Sequence, residues 1–232
     1  MTKIKAAVIV FPGSNCDRDM ITTIEKLSGN KPYAVWHQDT SLPDNLDLIV
    51  LPGGFSYGDY LRSGAIAARS PIMTEVIKAA KKDVYILGIC NGFQILTEAG
   101  LLPGTLMRNK YLKFIGKDVN LRIANSTSDF TKNYAKNENI TLPIAHHDGN
   151  YYIDNNGLKE LEDNNQVAFR YTDESGNTTI DANPNGALNN IAGVFNKNYK
   201  ILGMMPHPER SCDPKTGGID GIKLFKTILK LS

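Results

Sequence analysis

A cysteine framed by glycines, in Gly88-Ile89-Cys90-Asn91-Gly92-Phe93-Gln94, directly follows the apolar run 84–87 and precedes a helix-compatible stretch, 93–99. A strand that turns sharply into a helix presents the residue at the turn on the helix N-terminus. Glycine on either side relieves the crowding of that strained backbone. The pattern demands a sheet with helices packed on it and strands running into helix N-termini. It also puts a thiol where partial positive charge and unpaired N–H groups favour a thiolate. The chain therefore reads as an enzyme with a thiolate nucleophile. The plainer alternative, a buried structural cysteine, sits poorly with the two glycines. Cys16 and Cys212 have no such frame, and for them the structural role is expected.

The remaining pattern agrees with a layered α/β sheet. Runs 6–11 and 48–51 are short, continuous and apolar, and each is followed by Pro-Gly, as for strands buried on both faces of a parallel sheet; 84–87 is a third. Between them, Met20, Ile21, Ile24 and Leu27, then Ile72, Val76, Ile77 and Ala80, recur at helical spacing and predict helices over 18–27 and 71–81. In the second half, shorter strands are predicted at 119–123, 142–145, 166–171 and 191–195, with Asn, Asp and Gly-rich turns between them. An antiparallel extension of the sheet follows. The polar run 124–139 reads as a mobile surface loop or a plain solvated connection. Asn183-Pro184-Asn185-Gly186 reads as a tight turn, and 219–231 as a final amphipathic helix.

At 232 residues the chain can bury one full core, so a single domain over 1–232 is expected. The 26 Lys and Arg against 24 Asp and Glu leave a net charge of +2, which gives no electrostatic reason for a nucleic-acid partner. A small molecule or another protein is the expected partner. Three cysteines without disulfide or zinc spacing suit a reducing compartment, the cytoplasm. Pro12 and Gly13 cut the first apolar run below the ~7 residues of a signal-peptide core, and no run approaches the ~18 of a membrane helix. The sequence has neither a Walker-type loop nor a dinucleotide fingerprint, so ATP is not expected as a substrate of this chain.

Thiolate acyl chemistry needs a proton shuttle, and Pro206-His207-Pro208-Glu209-Arg210 offers one. The prolines disfavour helix and bias His207 toward extended geometry, in which Glu209 projects to the same side and can orient the imidazole. Cys90, His207 and Glu209 then form a nucleophile, base and orienter triad. The developing oxyanion needs donors: the backbone N–H of Asn91 is one, and Gly53 and Gly54, in a Pro-Gly-Gly turn after a buried strand, supply others. His37 is expected to be a packing or surface residue in a strand. His146 and His147 are adjacent on an extended chain and point to opposite faces, so no metal site is expected there.

Taken together, Gly-Ile-Cys-Asn-Gly-Phe-Gln at 88–94, Pro-Gly-Gly at 52–54 and His-Pro-Glu at 207–209 resemble the class I glutamine amidotransferases. Longer segments resemble the PurQ-type glutaminase subunits of phosphoribosylformylglycinamidine synthases: FPGSNCDRD at 11–19, PGGFSYGDYLRSGAIA at 52–67, NPNG at 183–186 and GMMPHPER at 203–210. The resemblance implies a flavodoxin-like fold and hydrolysis of glutamine through a γ-glutamyl thioester on Cys90. It implies Gln94 as a glutamine-holding residue and Asp148 as another, in the segment His146-His147-Asp148-Gly149, where many members read His-Gly-Glu-Gly. Ser63 and Gly116 stand where cysteines are frequent. It further implies no cofactor on this chain. The partners implied are a PurL-type synthetase subunit, which carries ATP and Mg and forms formylglycinamidine ribonucleotide in purine biosynthesis, and a small PurS-type bridging subunit. Two other readings of the residues are an independent thiol hydrolase, such as a peptidase or γ-glutamyl hydrolase, and a glutamine-binding module without catalysis. The segment 52–67 counts against the first, and the intact Cys, His and Glu against the second.

Overall fold

The apolar runs of the first half become buried strands in the computed structural model, which describes residues 4–82, 84–215 and 217–231. Along the chain come β1 (Ala6–Val10), α1 (Asp17–Ser28), β2 (Tyr33–Trp36), β3 (Leu48–Leu51), α2 (Pro71–Ala80), β4 (Tyr85–Ile89) and α3 (Asn91–Glu98). There follow β5 (Thr105–Met107), β6 (Ile115–Ile123), β7 (Asn139–His146), β8 (Asn150–Tyr152), α4 (Asn155–Asp163), β9 (Val167–Thr172), β10 (Ile191–Phe195), β11 (Ile201–Met204) and α5 (Ile222–Ile228). Nine strands form one sheet in the order β2-β1-β3-β4-β11-β10-β9-β6-β7, and β5 pairs with β8 separately. The first five are mutually parallel and the last four antiparallel.

The parallel half has the 2-1-3-4-5 order of flavodoxin-like folds, with β11 as its fifth strand. Because crossovers between parallel strands are right-handed, the β1–β2 and β3–β4 connections, which step in opposite directions, put α1 and α2 on opposite faces. Met20 and Ile24 of α1, and Ile72, Met73 and Val76 of α2, are buried against the sheet. Ligands in such sheets bind beyond the carboxyl ends of the strands, near the reversal of strand order. The carboxyl ends of β3, β4 and β11 lead directly into Gly53, Cys90 and His207.

Several segments differ from what the sequence predicts, each for a local reason. β6 and β7 run well past 119–123 and 142–145, because backbone pairing continues to Ile115–His146 at one end of the ladder and to Arg122–Asn139 at the other, through residues that are mostly polar or charged. β7 is an edge strand and so tolerates Pro143. Segment 124–139 is not a loose loop: Phe130, Thr131 and Tyr134 are buried, and the Phe130 ring lies 5.8 Å from Tyr85 and 6.1 Å from Phe195. The final helix is shorter than 219–231. Turns occupy the chain up to Gly221, whose N–H donates to the Ser211 carbonyl at 2.9 Å.

Candidate active site

Cys90 follows β4 directly and adopts φ 50°, ψ −106°, a conformation that L-residues rarely take, before the first turn of α3. Strain of this kind costs about 1–3 kcal/mol and persists only where the surroundings fix it. Here they do: the Cys90 N–H donates to the Met204 carbonyl of β11 at 2.8 Å, and its carbonyl accepts from Gln94 N–H at 3.1 Å. Gly88 and Gly92 lie so close to neighbouring atoms that neither has room for a side chain. The thiol is buried and lies 3.8 Å from the Ala145 carbonyl.

His207 enters from the end of β11, its N–H held by the Pro143 carbonyl at 2.8 Å. Its Nδ1 lies 2.6 Å from Glu209 Oε1, with both side chains removed from solvent. The contact arises differently from the extended alternation that the prolines suggest, because Pro208–Arg210 forms a 3-10 turn that folds Glu209 back onto the ring. Burial alone would lower the His207 pKa. The Glu209 carboxylate, helped by the Cys90 and Cys16 sulfurs, outweighs it and raises the pKa well above the ordinary value. His207 Nε2 is buried without a hydrogen-bond partner, as is Glu209 Oε2.

Gly53 is where these pieces converge: a Cβ there would lie 2.6 Å from His207 Cε1, 3.2 Å from Cys16 Sγ and 3.4 Å from Cys90 Cβ. Only a glycine lets the backbone come this close to the ring and the thiol. Gly54 follows with φ 142°, packed against the backbone of Gly13–Asn15. The structure thus gathers Cys90, His207, Glu209, Gly53 and Asn91 at one point, with Gly54 next in the chain.

Gln94, on the first turn of α3, is buried; it donates from Nε2 to the Asp148 carbonyl at 2.6 Å and accepts from Asn91 Nδ2 at 2.9 Å. The Asp148 carboxylate accepts from Ser63 Oγ at 2.9 Å and lies 3.9 Å from Arg108 Nε. His146 and His147 do diverge. His146 is buried against Asn109 Oδ1 at 3.0 Å, while His147 is partly exposed with Nδ1 3.5 Å from Asp148. Among the described residues, Cys16, His207 and Glu209 have potential metal-ligating atoms within 4.8 Å of one another. Of these side chains, Cys16 Sγ, His207 Nδ1 and Glu209 Oε1 are already engaged: Arg210 Nη2 donates to Cys16 Sγ at 3.0 Å, and the imidazole and carboxylate face each other at 2.6 Å.

Sequence reasoning assigned Cys16 a structural role, yet its sulfur flanks His207. It also left Asp59, Asn109 and Asn185 without a role. Asn185 is fully buried and donates to the Gly149 carbonyl at 2.8 Å, bracing the 146–149 segment. The FPGSNCDRD and NPNG segments were the available signals. His37, expected as a packing or surface residue, is buried and bonded to the Tyr57 hydroxyl at 2.6 Å.

His146 gives the site an acid-sensitive support. Burial, then the charge of nearby His207, pushes its pKa down from 6.5 to about 4. Between those values the unfolded chain binds the extra proton, so stability falls as pH drops through the window, by up to about 3 kcal/mol. Asp59, pushed up to about 6, works in the opposite direction, so a comparison isolates the histidine. Urea midpoints measured from pH 6.5 to pH 4 should fall more steeply for the native protein than for His146→Asn; parallel profiles would refute the assignment.

Residues 3–218 match the family of CobB/CobQ-like glutamine amidotransferase domains. The chain is 58% identical to the phosphoribosylformylglycinamidine synthase subunit PurQ of Zymomonas mobilis, over 98% of this chain and 99% of that protein. It is 52% identical to the PurQ subunit of Brucella suis, over 99% of this chain and 100% of that one. Among solved structures, a chain in PurLQS from Thermotoga maritima superposes with a TM-score of 0.86 at 44% identity, covering 99% of both chains. With this extent of identity, and a nucleophile elbow leading an α/β sheet of the same shape, the chain belongs to the glutamine amidotransferases and, within them, to the PurQ family.

Proposed function

We propose that this chain hydrolyses glutamine to glutamate and ammonia through a γ-glutamyl thioester on Cys90, as the glutaminase subunit of a phosphoribosylformylglycinamidine synthase. The observation that carries the reading is the buried His207–Glu209 contact at 2.6 Å, packed with Cys90 around Gly53. A ring held protonated by its neighbours is the partner that a thiolate requires. The thiolate adds to the substrate's amide carbon, and the oxyanion is received by the N–H groups of Gly53, Gly54 and Asn91. His207 delivers its proton to the departing nitrogen, so ammonia leaves as the thioester forms. The neutral ring then takes a proton from water, hydroxide adds to the thioester, and glutamate departs with Cys90 restored. Glu209 holds the ring's orientation throughout. Gln94 and Asp148 shape the end of the pocket that holds the rest of the amino acid.

The ammonia passes to a PurL-type synthetase subunit, bridged by a PurS-type subunit, where ATP and Mg convert formylglycinamide ribonucleotide to formylglycinamidine ribonucleotide. Thioester hydrolysis needs no metal or cofactor, so this chain carries none. The site of action is the cytoplasm; among the described residues no helix is long and apolar enough to cross a membrane. A covering partner is supported by the apolar side chains left in solvent: Tyr60, Leu61, Tyr111, Leu112 and Phe114 are all more than half exposed. Phe55 meets Phe114 at 6.5 Å, linking the loop after β3 to the one before β6. The basic Arg108, Lys110, Lys113 and Lys117 lie along the same stretch of chain as the second of these loops.

The test is transfer of label from amide-¹⁵N glutamine into formylglycinamidine ribonucleotide by the chain with a PurL-type subunit, a PurS-type subunit, ATP and Mg. Label should appear in the product, and glutamine turnover should rise when all components are present. Unlabelled product, or turnover of peptides at full rate without any partner, would overturn the reading.

A further inference from the structure

The loop after Gly54 turns one carboxylate toward Asn91, the residue after the nucleophile, while leaving its neighbours in solvent. Tyr57, Gly58, Asp59 and Leu61 all have positive φ, from 54° to 69°. Tyr60 and Leu61 are 74% and 93% exposed, whereas Asp59 is half-buried, its Oδ1 3.3 Å from Nδ2 of Asn91, the residue after Cys90. That Asn91 carboxamide is fixed on its other side by the Ser56 N–H at 3.1 Å, and its Nδ2 also reaches Gln94 Oε1. Arg62 clamps the loop to α3 by a two-pronged bond to Glu98 at 2.6 and 2.7 Å.

Asp59 therefore belongs to a cluster with Asn91, Gln94 and Asp148 beside the elbow. The neighbours that touch it are neutral. Asp148 adds a second negative charge, while the Arg108 guanidinium and the His147 ring lie against Asp148. Among the described residues, no lysine or arginine forms an ion pair with Asp59. A carboxylate drawn partly out of water next to another one is unfavourable unless a cation joins them. An amino-acid substrate brings one. With its side-chain amide at Cys90, glutamine extends its α-ammonium a few bonds away, into the region that Asn91 and Gln94 border.

We propose that Asp59 receives the α-ammonium group of glutamine and is a specificity-determining residue of this glutaminase. The inference rests on glutamine being the substrate of the Cys90 site. It explains why a strained loop is clamped to α3, and it makes the site selective for the free amino acid over an amide without an ammonium group.

The test compares glutamine with glutaramate, which is glutamine without its α-amino group, in steady-state hydrolysis by the complex with its synthetase subunit. Asp59→Asn should raise KM for glutamine about 10- to 100-fold, the range for a charge-assisted hydrogen bond, with kcat little changed. Glutaramate should be handled equally poorly by both proteins. Equal losses on both substrates, or an unchanged KM for glutamine, would overturn the proposal. Should native enzyme show no Cys90-dependent turnover of glutamine, the glutaminase reading itself falls and takes this one with it.

A second measurement needs no Asp59 variant. Burial, followed by the charge of Asp148, pushes the Asp59 carboxyl up to about 6, against the Ser63 hydrogen bond and the His147 ring, which favour its ionised form. On acidification through that value Asp59 becomes neutral while the α-ammonium stays charged. The native preference for glutamine over glutaramate should then fall, whereas effects of His207 ionisation cancel in the ratio. The fall should persist in His147→Asn; its loss there, or a ratio independent of pH, would assign the discrimination to another group.

Discussion

Cys90→Ala lowers kcat for glutamine hydrolysis by about 10⁴- to 10⁶-fold, the range seen when the nucleophile of a triad is removed, while leaving the fold intact. The elbow's strain belongs to the backbone at φ 50°, and alanine meets it as cysteine does. The thiol makes a long contact with the Ala145 carbonyl and is one of the groups that favour the charged His207 ring, so the stabilities of the two proteins should differ by no more than about 2 kcal/mol. Without sulfur no thioester forms, and the N–H donors around Gly53 are left to act on bound water alone. Adding His207→Ala to Cys90→Ala should cost little more, because a base without a nucleophile has nothing to activate. Mass spectrometry of native enzyme with a glutamine-like electrophile should find one adduct, on Cys90. Retention of more than about 1% of native kcat by Cys90→Ala would place the chemistry at another residue.

Much of this arrangement was written locally. The elbow was legible because a glycine-framed cysteine between an apolar run and a helix has few alternatives. β1, β3 and β4 were legible because strands buried on both faces are continuous apolar runs. α4 was not: its sequence is polar, Leu161 is its one buried side chain, and the signal was the cap, in which Asp154 accepts from Gly157 N–H at 2.7 Å. β11, only four residues long, was not predicted as a strand, although the segment that follows it identified the histidine. The roles of Cys16 and Asp59 could not be read from spacing. Cys16 meets Arg210 across 194 positions of chain, and Asp59 meets Asn91 only because a run of left-handed residues turns it inward. Such contacts depend on tertiary approach, which periodicity does not encode.

The same approach makes Gly92 one of the most demanding positions of the scaffold. On an ordinary helix, replacing glycine by alanine stabilises by about 1 kcal/mol. At Gly92 a Cβ would lie 1.9 Å from the carbonyl oxygen of Leu51 and 2.6 Å from its carbonyl carbon, both in the backbone of a buried central strand. No side-chain rotation relieves that overlap, so α3 must lift off β3. Overpacking against rigid backbone reverses the sign, and Gly92→Ala should lose about 3–4 kcal/mol, a fall in Tm on the order of 10 °C for a chain of this size. Gly100→Ala is the control: nothing lies within 4 Å of a Cβ there, and only its φ of 70° resists substitution, at a cost of about 1–2 kcal/mol. Any Gly92→Ala protein that still folds should also be catalytically impaired, since lifting α3 carries the Asn91 N–H away from Gly53 and Gly54. Native stability and native turnover in Gly92→Ala would mean that α3 moves freely against β3, and the tight seating of the nucleophile beside the oxyanion donors would then not be what makes the site work.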